Sequence, residues 1–112
     1  MAEFNVGGQE WEAIQSNGFK VTFNIDQNGT QLSGDADAQL INPPSPAVDG
    51  DIEQGSRVSG NSFLVRVEFS NGFRGEYSGN FNLDGRLTGH ALDLDNVQLP
   101  ATWISNKRFR QQ

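Results

Sequence analysis

The sequence predicts an all-β protein folded as an eight-stranded antiparallel up-and-down β-barrel. Three observations support this prediction. Outside one proline-rich loop, turn signals recur at intervals of about a dozen residues. Apolar and polar residues alternate between the turns, and no segment of useful length has the spacing of an amphipathic helix. Because no helix is available to cover the apolar face of an open sheet, we expect the sheet to close on itself.

The turns carry the strongest local signal. The four residues SNGF occur at 16–19 and again at 70–73, and Asn-Gly between alternating apolar residues is typical of a tight hairpin. We expect type I′ turns there, in which both central residues have positive φ. The remaining turn signals are Asn28-Gly29, NPPSPAVDG at 42–50, Gly60-Asn61, Asp84-Gly85 and DNVQLP at 95–100.

The turns separate eight predicted strands within one domain that spans the 112 residues. A chain of this length can bury roughly two-thirds of its unfolded surface, so a single core is feasible. Small inward residues, namely Gly34, Gly75, Gly79 and Gly89, permit the bends that closure needs. The predicted strands cover 9–15, 19–26, 30–41, 50–58, 62–70, 73–82, 86–95 and 100–109.

Period-two alternation predicts which residues of each strand point into the barrel. The first and last strands contribute Trp11 and Trp103. The others contribute Phe19, Val21, Phe23 and Ile25; Leu32, Ala36, Ala38 and Leu40; Phe63, Val65, Val67 and Phe69; Phe73, Tyr77 and Phe81; and Leu87 and Ala91.

Composition excludes several classes of protein. There is no cysteine, so disulfides and thiolate metal ligands cannot contribute. The formal charge of −6 argues against nucleic acid as a partner, because phosphate binding needs clustered Lys and Arg. The one basic cluster, Lys107, Arg108 and Arg110, is interpreted as a solvated strand end. We expect a soluble protein without membrane partner or signal peptide, and the compartment stays unknown.

Several segments between residues 7 and 109 resemble the avidin/streptavidin-like branch of the calycin barrels. They are GGQEW, GTQLSGDA, FLVRVEFSNGFRGEYSGNF, GRLTGHALD and ATWISNKRF. The resemblance implies an eight-stranded barrel that opens with a Gly-x-x-Trp element and holds a ligand in its lumen. It does not imply biotin as the ligand. Ala13 stands where avidins carry a pocket asparagine, and the strands that supply avidin pocket tryptophans contain none here.

Four residues in inward phase are candidate ligand-binding residues: Trp11, Tyr77, Asp93 and Trp103. Asp93 continues the row of small residues Gly89 and Ala91, so the wall leaves space beside a carboxylate. Such a site would offer a hydrogen-bond acceptor and aromatic surfaces to a small molecule. The alternative is that both tryptophans fill the barrel and Asp93 lies at its rim.

The outer face of the last two strands carries apolar residues where a lone barrel would be polar. His90, Leu92, Leu94 and Ile104 share this phase. Contiguous apolar patches usually mark an interface, and the corresponding part of avidin-like barrels is buried between subunits. We therefore expect a homodimer or homotetramer.

The sequence gives little indication of a catalytic site or a metal site. His90 is the single histidine and is predicted on the outer face, away from any nucleophile. The acidic segments at 35–37, 49–53 and 93–95 lack the spacing of a calcium loop and are interpreted as solvated faces. We expect no enzyme activity, no metal and no cofactor.

Three functions remain open at this point. The first is a non-catalytic barrel that binds a small molecule, in an avidin-like or lipocalin-like manner. The second is a lectin-like module, because Asn-, Asp- and Gly-rich turns with exposed aromatic residues suit sugars. The third is an interaction or inhibitor protein that acts through loops such as NPPSPAV.

Overall fold

The computed structural model describes residues 4–41, 43–94 and 100–109, and these residues form strands and turns without an α-helix. No helix among them could cross a membrane. The strands are β1 (Glu10–Gln15), β2 (Phe19–Asn28), β3 (Gln31–Leu40), β4 (Val48–Ile52), β5 (Arg57–Ser59), β6 (Ser62–Phe69), β7 (Arg74–Phe81), β8 (Leu87–Asp93) and β9 (Ala101–Ser105).

The sheet closes as an antiparallel up-and-down barrel, which confirms the predicted fold class. Apart from β4 and β5, consecutive strands pair with one another, and β9 returns to β1, where Ile104 faces Ile14. β4 and β5 both lie between β3 and β6, so together they occupy one place in the wall. The ring therefore has eight places. They are filled in chain order from β1 to β9, and β4 and β5 share the fourth place.

The single strand predicted over 50–58 is wrong, because residues 53–56 leave the ladder between β4 and β5. Gly55 has a φ of 97° there, a left-handed conformation that glycine adopts at little cost. The Ser56 hydroxyl accepts a 3.1 Å hydrogen bond from the Arg66 amide, which would otherwise lack its strand partner. Residues 53–56 read EQGS, which interrupts the apolar alternation, but Ile52 and Val58 on either side keep the same phase.

The predicted type I′ turns at both SNGF copies are also wrong. Among the described residues, positive φ is confined to glycines, so Asn17 and Asn71 do not adopt it. Gly18 donates to the Gln15 carbonyl, and Gly72 donates in the same way to the Phe69 carbonyl. Each loop thus has two ordinary turn residues followed by a glycine at positive φ, the three-residue hairpin pattern. In each loop the asparagine Oδ1 atom stabilises the turn, because it accepts a hydrogen bond from the amide of the phenylalanine two residues later. The distance is 3.3 Å for Phe19 and 3.2 Å for Phe73.

One end of the lumen is filled by an aromatic floor, which consists of Trp11, Phe23, Phe63, Trp103 and Phe109. The Trp11 ring centroid lies 4.8 Å from that of Phe23, 5.8 Å from Phe63 and 5.0 Å from Phe109. Phe63 also contacts Trp103 at 5.7 Å. Tilted and edge-to-face pairs of this kind stabilise a core beyond their buried area.

The chain segments outside the barrel strands seal the same end. Phe4 is fully buried and stacks on Phe81 with centroids 4.9 Å apart. The Gln27 side chain holds the N-terminal segment, accepting from the Val6 amide and donating to the Phe4 carbonyl. The amide of Phe109 donates to the Gly85 carbonyl and fixes the C-terminal segment. The barrel is therefore closed at the end that carries the β2–β3 turn.

Candidate ligand-binding cavity

The opposite end of the lumen is open and contains a cavity of about 330 Å³. It exists because small side chains replace large ones above the aromatic floor. Ala38, Gly75, Ala91 and Ala101 line it from four different strands, and Val21 lies low in its wall. A cavity of this size falls at the lower end of the range for small-molecule pockets.

The two SNGF hairpins stand on opposite sides of the mouth of this cavity. Phe19 begins β2 and Phe73 directly precedes β7. Between β2 and β7 lie β3, β4 and β6 in one direction, and β1, β9 and β8 in the other. Both rings line the cavity, and they remain 37% and 53% exposed. The repeated motif therefore places one phenylalanine at each side of the entrance.

Polar groups in the upper wall come from β7 and β8. Tyr77 faces Ala91 in the ladder, and Asp93 faces Gly75 one inward step closer to the mouth. A Cβ at Gly75 would lie 2.9 Å from the Tyr77 hydroxyl oxygen, so the tyrosine ring leans over this glycine towards Asp93. Burial, with a smaller contribution from the Asp93 charge, raises the pKa of Tyr77 above its ordinary value. Tyr77 is thus a neutral hydroxyl beside a carboxylate.

A third polar group lies on β1. Gln15 is the inward residue after Ala13, opposite Trp103 of β9, and it lines the cavity. Its Oε1 atom is buried and has no hydrogen-bond partner within the described part of the chain. Buried acceptors without partners are rare in folded proteins. An amide with unmet hydrogen-bonding capacity therefore lies within the cavity wall.

Arg74 supplies positive charge at the mouth and forms an ion pair with Glu53. The Nε and Nη2 atoms of Arg74 donate hydrogen bonds to the two carboxylate oxygens of Glu53, each at 2.8 Å. The hydrogen bond from Arg74 is the main reason why the pKa of Glu53 is lowered. Bidentate pairs of this type fix the orientation of the guanidinium.

The four candidate ligand-binding residues divide between two places. Tyr77 and Asp93 line the cavity, whereas Trp11 and Trp103 belong to the aromatic floor and are nearly fully buried. Both indole N–H groups also donate hydrogen bonds to backbone carbonyls within the protein. Trp11 donates to the Val6 carbonyl at 3.1 Å, and Trp103 donates to the His90 carbonyl at 3.0 Å. The tryptophans therefore support the cavity from below.

The candidate interface residues lie on the outer surface of β8 and β9 or directly after β8. His90 is exposed, Leu92 and Leu94 are half-buried, and Ile104 is 38% exposed. Ile104 faces Ile14 across the β1–β9 ladder, which extends the apolar surface by one strand.

Aspartates face one another on the outer surface of β3 and β4. Asp35 is opposite Asp51, and Asp37 is opposite Asp49. The Asp49 hydrogen bond, burial and nearby negative charges raise the pKa of Asp37. Within residues 4–41, 43–94 and 100–109, no group of three or more His, Cys, Asp or Glu side chains could hold a metal ion. Asp95 and Arg110, and the predicted turn at 95–100 apart from Pro100, lie outside the described residues.

No protein-family model, curated protein or solved structure matches this chain. The similarity to avidins thus stays a prediction, and the cavity must be interpreted from its own residues.

Sequence reasoning missed part of this site. Gln15 is not among the predicted ligand-binding residues, although a polar residue in inward phase is itself a signal. Alternation predicts Phe19 and Phe73 in the interior, and their position at the mouth follows only from their place at the strand ends.

Proposed function

We propose that the protein is a non-catalytic binding barrel that holds one small, partly apolar molecule in the open half of its lumen. The observation that carries the proposal is the cavity above the aromatic floor, which is closed below and open above. Such a preformed cavity can take up apolar surface without reorganising the barrel, which lowers the cost of binding.

The composition of the wall favours this function. The rings of Phe19, Phe69, Phe73 and Tyr77 supply apolar contact, and Asp93 provides a directional polar contact. A mostly apolar pocket with a few polar groups is typical of small-molecule sites. His90, the single histidine of the sequence, is exposed on the outer surface, so it cannot act as a base on a ligand in the lumen.

The test is the binding of N-phenyl-1-naphthylamine, a neutral probe that fluoresces in apolar sites. We expect saturable binding to the wild-type protein at one probe per chain. Ala101→Phe fills the cavity from β9 and should abolish binding. Thr102→Phe is the matched control, because it places the same side chain on the outer face of the same strand.

The pattern across the two variants decides the outcome. Loss in Ala101→Phe with wild-type binding in Thr102→Phe supports the lumen as the site. Equal binding in both variants, with circular dichroism showing intact β structure, would contradict the proposal, as would the absence of any binding to the wild-type protein.

A further inference from the structure

We propose that the ligand of this cavity carries a positive charge, as a protonated amine or an amidine. This inference rests on the proposed function and specifies the substrate class of the same site. It follows from the chemistry of the groups that line the cavity: a carboxylate, an amide oxygen, a phenol and several aromatic rings.

The first argument concerns hydrogen bonding. The Asp93 carboxylate accepts hydrogen bonds and offers about four lone-pair directions, so it can serve a ligand in addition to its contacts within the protein. The buried Oε1 of Gln15 is an acceptor without a partner in the described structure. The Tyr77 hydroxyl can also accept. A ligand rich in N–H donors therefore suits a wall whose polar groups are able to accept hydrogen bonds.

The second argument concerns the rings. Cations are attracted to the faces of aromatic side chains within about 6 Å of the ring centroid. Tyr77 lies beside Asp93 in the upper wall, and Phe69 lines the same cavity. Phe19 and Phe73 add two further rings at the mouth. Aromatic rings around a carboxylate suit an organic cation better than an anion, which both kinds of group would repel.

The third argument concerns competing positive charge. Arg74 is the one basic side chain among the described residues that line the cavity. Two hydrogen bonds of 2.8 Å join its guanidinium to Glu53. The Glu53 carboxylate therefore offsets positive charge at the mouth of the cavity. The formal charge of −6 for the whole chain also favours the approach of a cation.

The experiment compares three ligands of one shape. Phenethylamine, 2-phenylethanol and phenylacetate carry a positive, neutral and negative head on the same ring and differ little in size. Each competes with N-phenyl-1-naphthylamine for the wild-type protein at neutral pH and low salt. We expect the amine to bind at least about tenfold more tightly than the alcohol, which corresponds to about 1.4 kcal/mol, and the acid to bind most weakly.

A pair of variants assigns the charge preference to one residue. Asp93→Asn should remove the advantage of the amine over the alcohol while the neutral probe still binds. Asp51→Asn is the matched control, because it removes the same charge from the outer face of β4. It should leave the advantage intact. If Asp93→Asn fails to fold, the comparison of the three ligands on the wild-type protein still tests the charge preference.

The outcomes separate the two proposals. If the probe binds but the alcohol or the acid displaces it as well as the amine does, or none of the three displaces it, the charge inference is overturned and the binding barrel stands. An amine advantage that survives in folded Asp93→Asn also overturns it. If the probe does not bind at all, the proposed function itself fails.

Discussion

The Tyr77 hydroxyl oxygen lies only 2.9 Å from the position that a Cβ atom at Gly75 would occupy. The two residues are neighbours in inward phase on β7, and the tyrosine leans towards the mouth because the glycine leaves room. The cavity wall therefore depends on an absent side chain as much as on the aromatic ring beside it.

Gly75→Ala should weaken probe binding by about tenfold, because the new methyl group forces the Tyr77 ring away from the wall and into the cavity. The contact is tight but involves a side chain, so the barrel should still fold. The double variant Gly75→Ala with Tyr77→Phe provides the control. If the hydroxyl causes the clash, the double variant should bind better than additivity of the single variants predicts. Unchanged probe binding in Gly75→Ala would contradict this account of the wall.

Trp11→Ala should lower the free energy of unfolding by about 3–5 kcal/mol, since it leaves a large void in the aromatic floor. Its ring is 2% exposed and contacts four other aromatic residues. Phe73→Ala is the matched control, because that ring is half-exposed at the mouth, and it should cost less than about 1 kcal/mol. Urea denaturation measures both values. Similar losses in the two variants would show that the floor is not the main core.

Asp37→Asn should stabilise the protein at neutral pH and reduce the dependence of its stability on pH. The raised pKa of Asp37 means that the folded protein binds this proton more tightly than the unfolded chain does. Stability should therefore fall as the pH rises from the ordinary aspartate value of 3.8 through the raised value, and remain lower above it. Replacing the Asp37 carboxyl by an amide removes this pH-dependent loss of stability and also removes the repulsion from Asp49.

Thermal unfolding measured across that pH interval checks this prediction. Asp26→Asn is the control, because Asp26 faces Ser33 and not another carboxylate. A melting temperature at neutral pH that rises no more in Asp37→Asn than in Asp26→Asn would speak against repulsion across the β3–β4 ladder.

Native mass spectrometry tests the predicted homodimer or homotetramer. If the outer face of β8 and β9 is an interface, Ile104→Asp should shift the mass to that of a monomer, because it buries a charge against an apolar surface. Ser33→Asp adds the same charge to the exposed outer face of β3 and should leave the assembly intact. A wild-type monomer, or an unchanged oligomer in Ile104→Asp, would show that the interface prediction is wrong.

Local patterns were sufficient to predict the barrel. The alternation of Phe63, Val65 and Val67 predicts a strand with one buried face, and each Asn-Gly or Asp-Gly predicts a turn. These signals arise between residues close in sequence. The break at residues 53–56 was not predicted in this way, because it depends on a hydrogen bond that the Ser56 hydroxyl accepts from the Arg66 amide on a different strand.

The candidate site was predicted in part for a similar reason. Alternation identifies Tyr77, Asp93, Trp11 and Trp103 as inward residues, but it gives no height along the barrel axis. Height depends on the stagger between paired strands, and the observed register sets Trp103 opposite Gly89 and Tyr77 opposite Ala91. That stagger puts the two tryptophans in the floor and the tyrosine and aspartate above it.

The sequence by itself determined the closed antiparallel barrel, most of its strands and the places of the glycine turns, because period-two alternation and glycine turn chemistry act over a few residues. Only the tertiary structure decided that the lumen is half filled and half open. The balance depends on which large and small side chains meet at the same level from strands far apart in sequence. Strand register sets Ala91 opposite Ala101 at the open end, whereas the C-terminal segment after β9 brings Phe109 against Trp11 at the filled end.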